Sequence, residues 1–246
     1  EIASCLVGSE MCIRDSGGTA GHVTPNIALI PELQKRGYEI HYVGSKDGIE
    51  KKLMEEFDIP YYGISSGKLR RYFDLKNFTD PARILKGYAE AGKIIKKVKP
   101  HVIFSKGGFV TVPVVFAAKR KKVPCVLHES DISPGLANRL CIPSAAAVCA
   151  NFPETLSHLP EEKSHLTGSP IRKELFSGNR LKGLDFCGFS TQKPVILVIG
   201  GSLGSVRVNE AVREILPQLL EKYQIIHLCG KDKVCLLYTS DAADEL

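Results

Sequence analysis

The feature that most narrows the fold is an alternation. From about residue 20 onward, short β-rich runs are separated by helical stretches. Parallel strands need crossover connections and helices supply them, so this order specifies an α/β protein built on a parallel sheet. The expected strands are 39–43, 61–64, 101–104, 125–127 and 147–150, most of them followed by Gly, Ser or a charged residue where a loop begins. One helix opens at Thr24-Pro25, an N-cap followed by the residue best tolerated at the first helical position. It runs through Ile27, Ile30 and Leu33 to Gly37, with a kink expected at Pro31. A longer helix is expected from Asp80 to Lys99.

A second unit opens after a linker at 178–188 that is rich in Gly, Lys and Asn. It holds an apolar strand of the buried parallel type at 194–199, a glycine loop at 200–205, a helix from Val206 to Tyr223 and a further strand at 224–229. About twenty residues follow, against the order of 100 that a domain takes, so the second domain reads as truncated. Both ends read poorly. Cys12-Ile13-Arg14-Asp15-Ser16 precedes a glycine loop where a buried strand belongs, and Arg14 and Asp15 suit a sheet centre badly, so the first strand is expected to be missing or garbled. The tail from Cys235 follows no period. The resulting division is 1–16 and 235–246 as non-native or garbled tails, 17–177 as the first domain and 178–234 as the start of the second.

With 246 residues, 43% of them apolar, the chain can bury one generous core or two modest ones. No apolar run reaches the roughly 18 residues a membrane span needs. The eight cysteines show no paired metal-ligand spacing, and Cys125, Cys149 and Cys229 sit inside apolar runs, where a buried thiol in a reducing compartment is expected. The net charge of +6 is concentrated, since residues 68–106 hold eleven Lys and Arg against three Asp and Glu. That stretch suits an anionic partner or a solvated helix face. No nucleic-acid-binding motif accompanies it, so no nucleic acid partner is expected.

Three glycine turns carry the chemistry. Gly17-Gly18-Thr19-Ala20-Gly21-His22 precedes the Thr24 helix, where close backbone approach and unpaired helix amides favour phosphate. Its spacing is neither the dinucleotide fingerprint nor a Walker loop. His22, at the end of that turn, suits either removal of a hydroxyl proton or a structural hydrogen bond to a neighbouring loop. Lys106-Gly107-Gly108-Phe109-Val110-Thr111 repeats the design after strand 101–104, with Lys106 available as a point charge. Residues Gly18, Gly107, Gly108 and Thr111 are the expected diphosphate-holding positions. His128-Glu129-Ser130-Asp131 follows the strand at 125–127, where open α/β sheets place their sites, although Glu129 or Asp131 could instead cap the next helix. Arg172, after Gly168-Ser169-Pro170-Ile171, is a candidate cleft cation, and Gly200-Gly201-Ser202-Leu203-Gly204-Ser205 is the third turn.

These segments, in this order and spacing from about Gly17 to Lys231, resemble the MurG family of bacterial UDP-N-acetylglucosamine transferases. The resemblance implies a GT-B fold of two doubly wound, Rossmann-like domains, the first binding a lipid acceptor and the second the UDP-sugar. It implies inverting transfer of N-acetylglucosamine from UDP-N-acetylglucosamine to an undecaprenyl-linked muramyl pentapeptide lipid, with no metal and no cofactor. By position, Thr19, Ala20 and Gly21 approach the donor, Asp131 stands where many members have Asn, Arg172 meets the nucleotide sugar, Ser202 meets its diphosphate and His22 is the catalytic base. The basic stretch with Leu69, Tyr72, Phe73, Leu75 and Phe78 is then a seat on the anionic, cytoplasmic face of the membrane. Ser16 departs from the family's leading glycine, and the part that grips uridine is absent, so this chain by itself is expected to be inactive. The rival readings are a related GT-B lipid glycosyltransferase, a UDP-sugar epimerase, and a non-enzymatic module that binds anionic membrane.

Overall fold

The computed structural model describes residues 2–7, 23–46, 51, 54–66, 80–201, 204–230 and 233. Two compact units divide the chain, one ending at Leu175 and the other starting at Phe176.

The first unit's elements follow in chain order. They are β1 (Ile2–Val7), α1 (Val23–Lys35), β2 (Tyr38–Ser45), β3 (Tyr61–Ile64), α2 (Asp80–Val98), β4 (Val102–Ser105), α3 (Thr111–Arg120), β5 (Cys125–Glu129), α4 (Leu136–Cys141), β6 (Ala147–Ala150), α5 (Pro153–Leu156) and β7 (Ser164–Leu166). Among the described residues these strands make one seven-stranded sheet in the order β3-β2-β1-β4-β5-β6-β7, every pairing parallel. The order reverses at β1, between β2 and β4, as in a doubly wound sheet.

The centre of the sheet, where a missing or garbled strand is expected, holds a strand. Ile2–Val7 pairs with β2 on one side and β4 on the other, so the apolar run that fills the sheet centre lies well ahead of the polar Arg14-Asp15 stretch. Helix α1 begins at Val23, one residue before the expected start, and contains Pro31. It stops at Gly37, whose φ of +81° is open to glycine without strain.

Strand residues alternate between two faces, and each face has its own core. Ile40 and Tyr42 of β2 pack with Ile30 of α1, Met54 and Ile59. Val43 turns the other way and joins Ile103, Leu127 and Val148 under Ala91 and Ile95 of α2 and Val114, Val115 and Ala118 of α3. Fully buried side chains such as Tyr42, Ile103 and Leu127 contribute about 1.5–3 kcal/mol each, before the entropy of ordering them is set against that.

The second unit contains α6 (Arg180–Phe186), β8 (Val195–Ile199), α7 (Val206–Lys222) and β9 (Gln224–Leu228), with β8 and β9 parallel. Helix α6 lies in the stretch expected to be a linker. It forms because Asn179 caps it, accepting a hydrogen bond from the Lys182 amide at 3.1 Å, and because Leu184 is buried. The apolar run of β8 reads as a strand buried on both faces, yet Leu197 and Ile199 are 55% and 57% exposed. The reason is coverage. Among the described residues β8 has a strand partner on one edge only.

Candidate functional site

The parallel registers bring the carboxyl ends of β4, β5, β6 and β7 to one edge of the sheet. Ser105 pairs with Leu127, Glu129 with Ala150, and Ala150 with Leu166. The loops leaving those ends contain most of the described candidate residues.

The turn after β4 is held by a closed set of hydrogen bonds. The Gly107 amide donates to Ser105 Oγ at 3.1 Å, Thr111 Oγ1 donates to the Gly107 carbonyl at 2.8 Å, and the two hydroxyls bond each other at 2.6 Å. Because Thr111 gives its proton to the carbonyl, Ser105 is the donor between the hydroxyls. The Thr111 amide also donates to Gly108 O at 3.1 Å, and its side chain is fully buried, so Thr111 shapes the turn. Gly107 and Gly108 have φ of +94° and +90°. A Cβ on Gly107 would lie 2.9 Å from Asn138 Oδ1, so a side chain is excluded there by space as well as by conformation.

The loop after β5 is organised by Glu129. Its Oε1 accepts from the amides of Ser130 and Asp131 at 2.8 and 2.9 Å, and its Oε2 accepts from the Gly135 amide at 3.1 Å and Asn138 Nδ2 at 2.7 Å. Four donors on a carboxylate that is only 4% exposed make it a fixed frame for the loop and for the start of α4. Of the two alternatives open for Glu129, the geometry favours support of the following helix over a place in the cleft. Asp131 is exposed just beyond, its carbonyl held by Thr155 Oγ1 at 2.9 Å.

Lys106, read as an available point charge, is buried, with 3% exposure. The register accounts for this, since a residue one step past the Ser105–Leu127 pair lies beside His128. Lys106 Nζ is 2.8 Å from His128 Nδ1 and also bonds Ser130 Oγ. His128 Nε2 is 2.8 Å from the carbonyl of Gly168, beyond β7. An ammonium and a carbonyl leave one arrangement: Nδ1 accepts from Lys106, and Nε2 carries the proton and donates. Burial lowers the Lys106 pKa from 10.5 to about 8, against the opposing pull of Glu129 and Asp131. Burial is also the main cause that lowers His128, and the Lys106 charge adds to it over the support of Gly168 and Glu129.

Arg172 is exposed and follows Gly168, whose φ is +70°. In the second unit, the turn between β8 and α7 is equally intolerant of side chains. A Cβ on Gly200 would meet the Ser205 amide at 2.6 Å, and one on Gly204, at φ +68°, would meet Cys229 O at 1.7 Å. Ser205 caps α7 by accepting from the Val208 amide, and Asn209, 2% exposed, donates to Cys229 O at 2.9 Å.

Gly18, Thr19, Ala20, Gly21, His22 and Ser202 lie outside the described residues, as do Leu69, Tyr72, Phe73, Leu75 and Phe78. The reading of the sequence missed Asn138, which donates to Glu129 Oε2 and fills the space a side chain on Gly107 would need. It also missed the Ser105–Thr111 pairing. A Ser six residues ahead of a Thr across a double glycine was the available signal. Among the described residues no cluster of three or more His, Cys, Asp or Glu could hold a metal ion, and no helix is long and apolar enough to cross a membrane.

A doubly wound sheet with glycine turns at its strand ends, followed by a second strand, glycine turn and helix unit, defines an α/β protein of the GT-B type. The chain belongs to glycosyltransferase family 28: the family's N-terminal domain matches residues 16–150 and its C-terminal domain matches 195–236. A UDP-N-acetylglucosamine--N-acetylmuramyl-(pentapeptide) pyrophosphoryl-undecaprenol N-acetylglucosamine transferase of Lachnoclostridium phytofermentans is 69% identical over 222 residues, covering 90% of this chain and 62% of the relative. One of the same name from Lachnospira eligens is 61% identical, with 90% and 63% covered. The chain therefore spans a little over three fifths of these relatives' length. Among solved structures, Acinetobacter baumannii MurG aligns with a TM-score of 0.67 at 25% identity, over 98% of this chain and 61% of that one. A UDP-GlcNAc 2-epimerase from Methanocaldococcus jannaschii aligns at 0.60 and 16% identity, over 100% and 70%, a likeness of fold alone.

Proposed function

We propose that the protein to which this chain belongs transfers N-acetylglucosamine from UDP-N-acetylglucosamine to the muramyl sugar of an undecaprenyl-diphosphate-linked pentapeptide, with inversion at the anomeric carbon. The observation that carries this reading is the 69% identity over 222 residues to a relative of that name, an identity that spans the built turns at Gly107–Gly108 and Gly200–Gly204.

In this reading the first unit seats the acceptor. The positive-φ turn at Gly107 and Gly108 and its partner at Gly18 hold the lipid diphosphate, while Thr111 keeps the turn in shape. Thr19, Ala20, Gly21, Asp131 and Arg172 face the donor, and Ser202, with the amides that open α7, receives the UDP diphosphate. The reaction needs a deprotonated sugar hydroxyl and a leaving group that departs with negative charge. His22 removes the proton, and helix amides oriented beforehand stabilise the departing charge. The reading needs neither metal nor cofactor. The basic residues of 68–99 hold the protein against the anionic cytoplasmic face of the membrane, in reach of a lipid acceptor.

The test is a transfer assay on the full-length protein with labelled UDP-N-acetylglucosamine. The expected result is label on a lipid-linked muramyl diphosphate and a fall of about two orders of magnitude in kcat for His22→Ala. Transfer to diacylglycerol instead, or epimerisation of the UDP-sugar without transfer, would overturn the substrate assignment. Undiminished turnover in His22→Ala would remove His22 as the base.

A further inference from the structure

We propose that Lys106 is a positioning residue for the acceptor diphosphate, its ammonium held behind the Gly107–Gly108 turn by His128 and Ser130 so that an anion on the turn meets a fixed positive charge. The inference rests on the reading of that turn as a diphosphate seat and names the group that completes it.

Three observations carry it. First, the ammonium is buried and its partners are neutral. Lys106 is 3% exposed and bonds His128 Nδ1 and Ser130 Oγ, with its third N–H unmatched among the described residues. Its position next to Gly107 is enforced by the turn's own hydrogen bonds, since the Gly107 amide is fixed to Ser105 and its carbonyl to Thr111.

Second, the nearest buried carboxylate is committed elsewhere. All four bonds to the Glu129 oxygens come from Ser130, Asp131, Gly135 and Asn138. Among the described residues no carboxylate oxygen lies within ion-pair distance of Lys106 Nζ. A buried charge without a counter-charge in contact is costly, and a Met of similar length would fill the same space without that cost. A cation kept there is explained by an anion that arrives from outside.

Third, the charge is held by a device that fixes it in one place. The His128 ring is neutral, protonated on Nε2 and anchored on Gly168 O, so it can only accept from Lys106. The latch thereby joins the ends of β4, β5 and β7. Among the described residues, the charged and titratable groups around Lys106 are His128 and Glu129 on β5 and Asp131 beyond it, and burial leaves the ammonium with a pKa of about 8. An anion seated nearby raises that value, so binding above pH 8 takes up a proton.

The experiment is calorimetric titration of the 246-residue chain with a dialkyl diphosphate, an acceptor mimic whose own charge stays constant from neutral to alkaline pH. At pH 7 the expected Kd rises about tenfold in Lys106→Met and changes less in Lys106→Arg, while the unfolding midpoint of Lys106→Met does not fall. In the wild type, binding at pH 9 takes up a proton and is weaker than at pH 7, a readout that needs no variant to fold. Equal affinity in Lys106→Met, or a wild-type Kd that is flat from pH 7 to 9 with no proton uptake, overturns the inference and leaves the transferase reading intact. Failure of the wild type to bind the diphosphate at all overturns both the inference and the seat of the acceptor at this turn, while transfer activity of the full-length protein would still be decided by its own assay.

Discussion

The two units use the same local plan and differ in what covers it. In each, an apolar parallel strand runs into a glycine turn that leaves no room for a side chain, and a helix begins just beyond. In the first unit the strand is roofed on both faces, so Ile103 and Leu127 are fully buried. In the second, Leu197 and Ile199 on β8 are more than half exposed, as are Val206 at the start of α7 and Leu228 on β9. The strand-to-helix turn is thus marked by its own glycines, whereas burial is specified by neighbours far along the chain.

The largest expected effect breaks the local plan where it is tightest. Gly204→Ala forces a Cβ onto Cys229 O at an unfavourable φ, and it should cost the second unit more than about 4 kcal/mol. Hydrogen exchange is the measurement, with protection lost over 195–229 and kept over 102–150. Intact protection over 195–229 would mean that the turn is not held against β9 as described.

Next in size is the same residue type in the two settings. Leu127→Ala should lower stability by about 2–5 kcal/mol, and Leu197→Ala by less than about 1 kcal/mol, in denaturant unfolding. Equal losses would contradict the contrast in coverage.

A smaller effect sharpens the comparison through charge, since the first unit buries a cation. Between pH 8 and 10.5 the unfolded chain holds a proton on Lys106 that the folded chain has released, so stability rises with pH across that window. Relative to Lys106→Met, the wild type should gain roughly 3 kcal/mol from the lower to the upper limit. His128 gives the acid counterpart. Its folded pKa is lowered, so the stability it contributes is present above the unfolded value near 6.5 and is lost as pH falls below it.

Much of this was legible in the sequence because it is local. The strands at 61–64 and 147–150 form with the expected limits, and the Gly37 stop and the turn-to-helix step at Ser205 follow from residue chemistry alone. What escaped depends on register or on distance along the chain. Nothing in Ser-Lys-Gly-Gly says that Lys106 lies against His128; that needs the pairing of Ser105 with Leu127. The role of Asn138 needs both the Glu129 loop and the Gly107 turn to be in place. The place of Ile2–Val7 at the sheet centre rests on its pairing with β2 and β4, partners more than thirty residues away. Helix α6 was overlooked because its short apolar face has a single buried residue, Leu184, behind a capping Asn179.

In the proposed function the Gly107–Gly108 turn takes the acceptor diphosphate and the turn that opens α7 takes the donor diphosphate. Hydrogen exchange of the full-length protein, with each substrate added separately, tests it most directly. The lipid-linked muramyl diphosphate should slow exchange over 106–111, and UDP-N-acetylglucosamine should slow it over 200–206. Protection of 200–206 by the acceptor alone, or no response at 106–111 to a saturating acceptor, would contradict it.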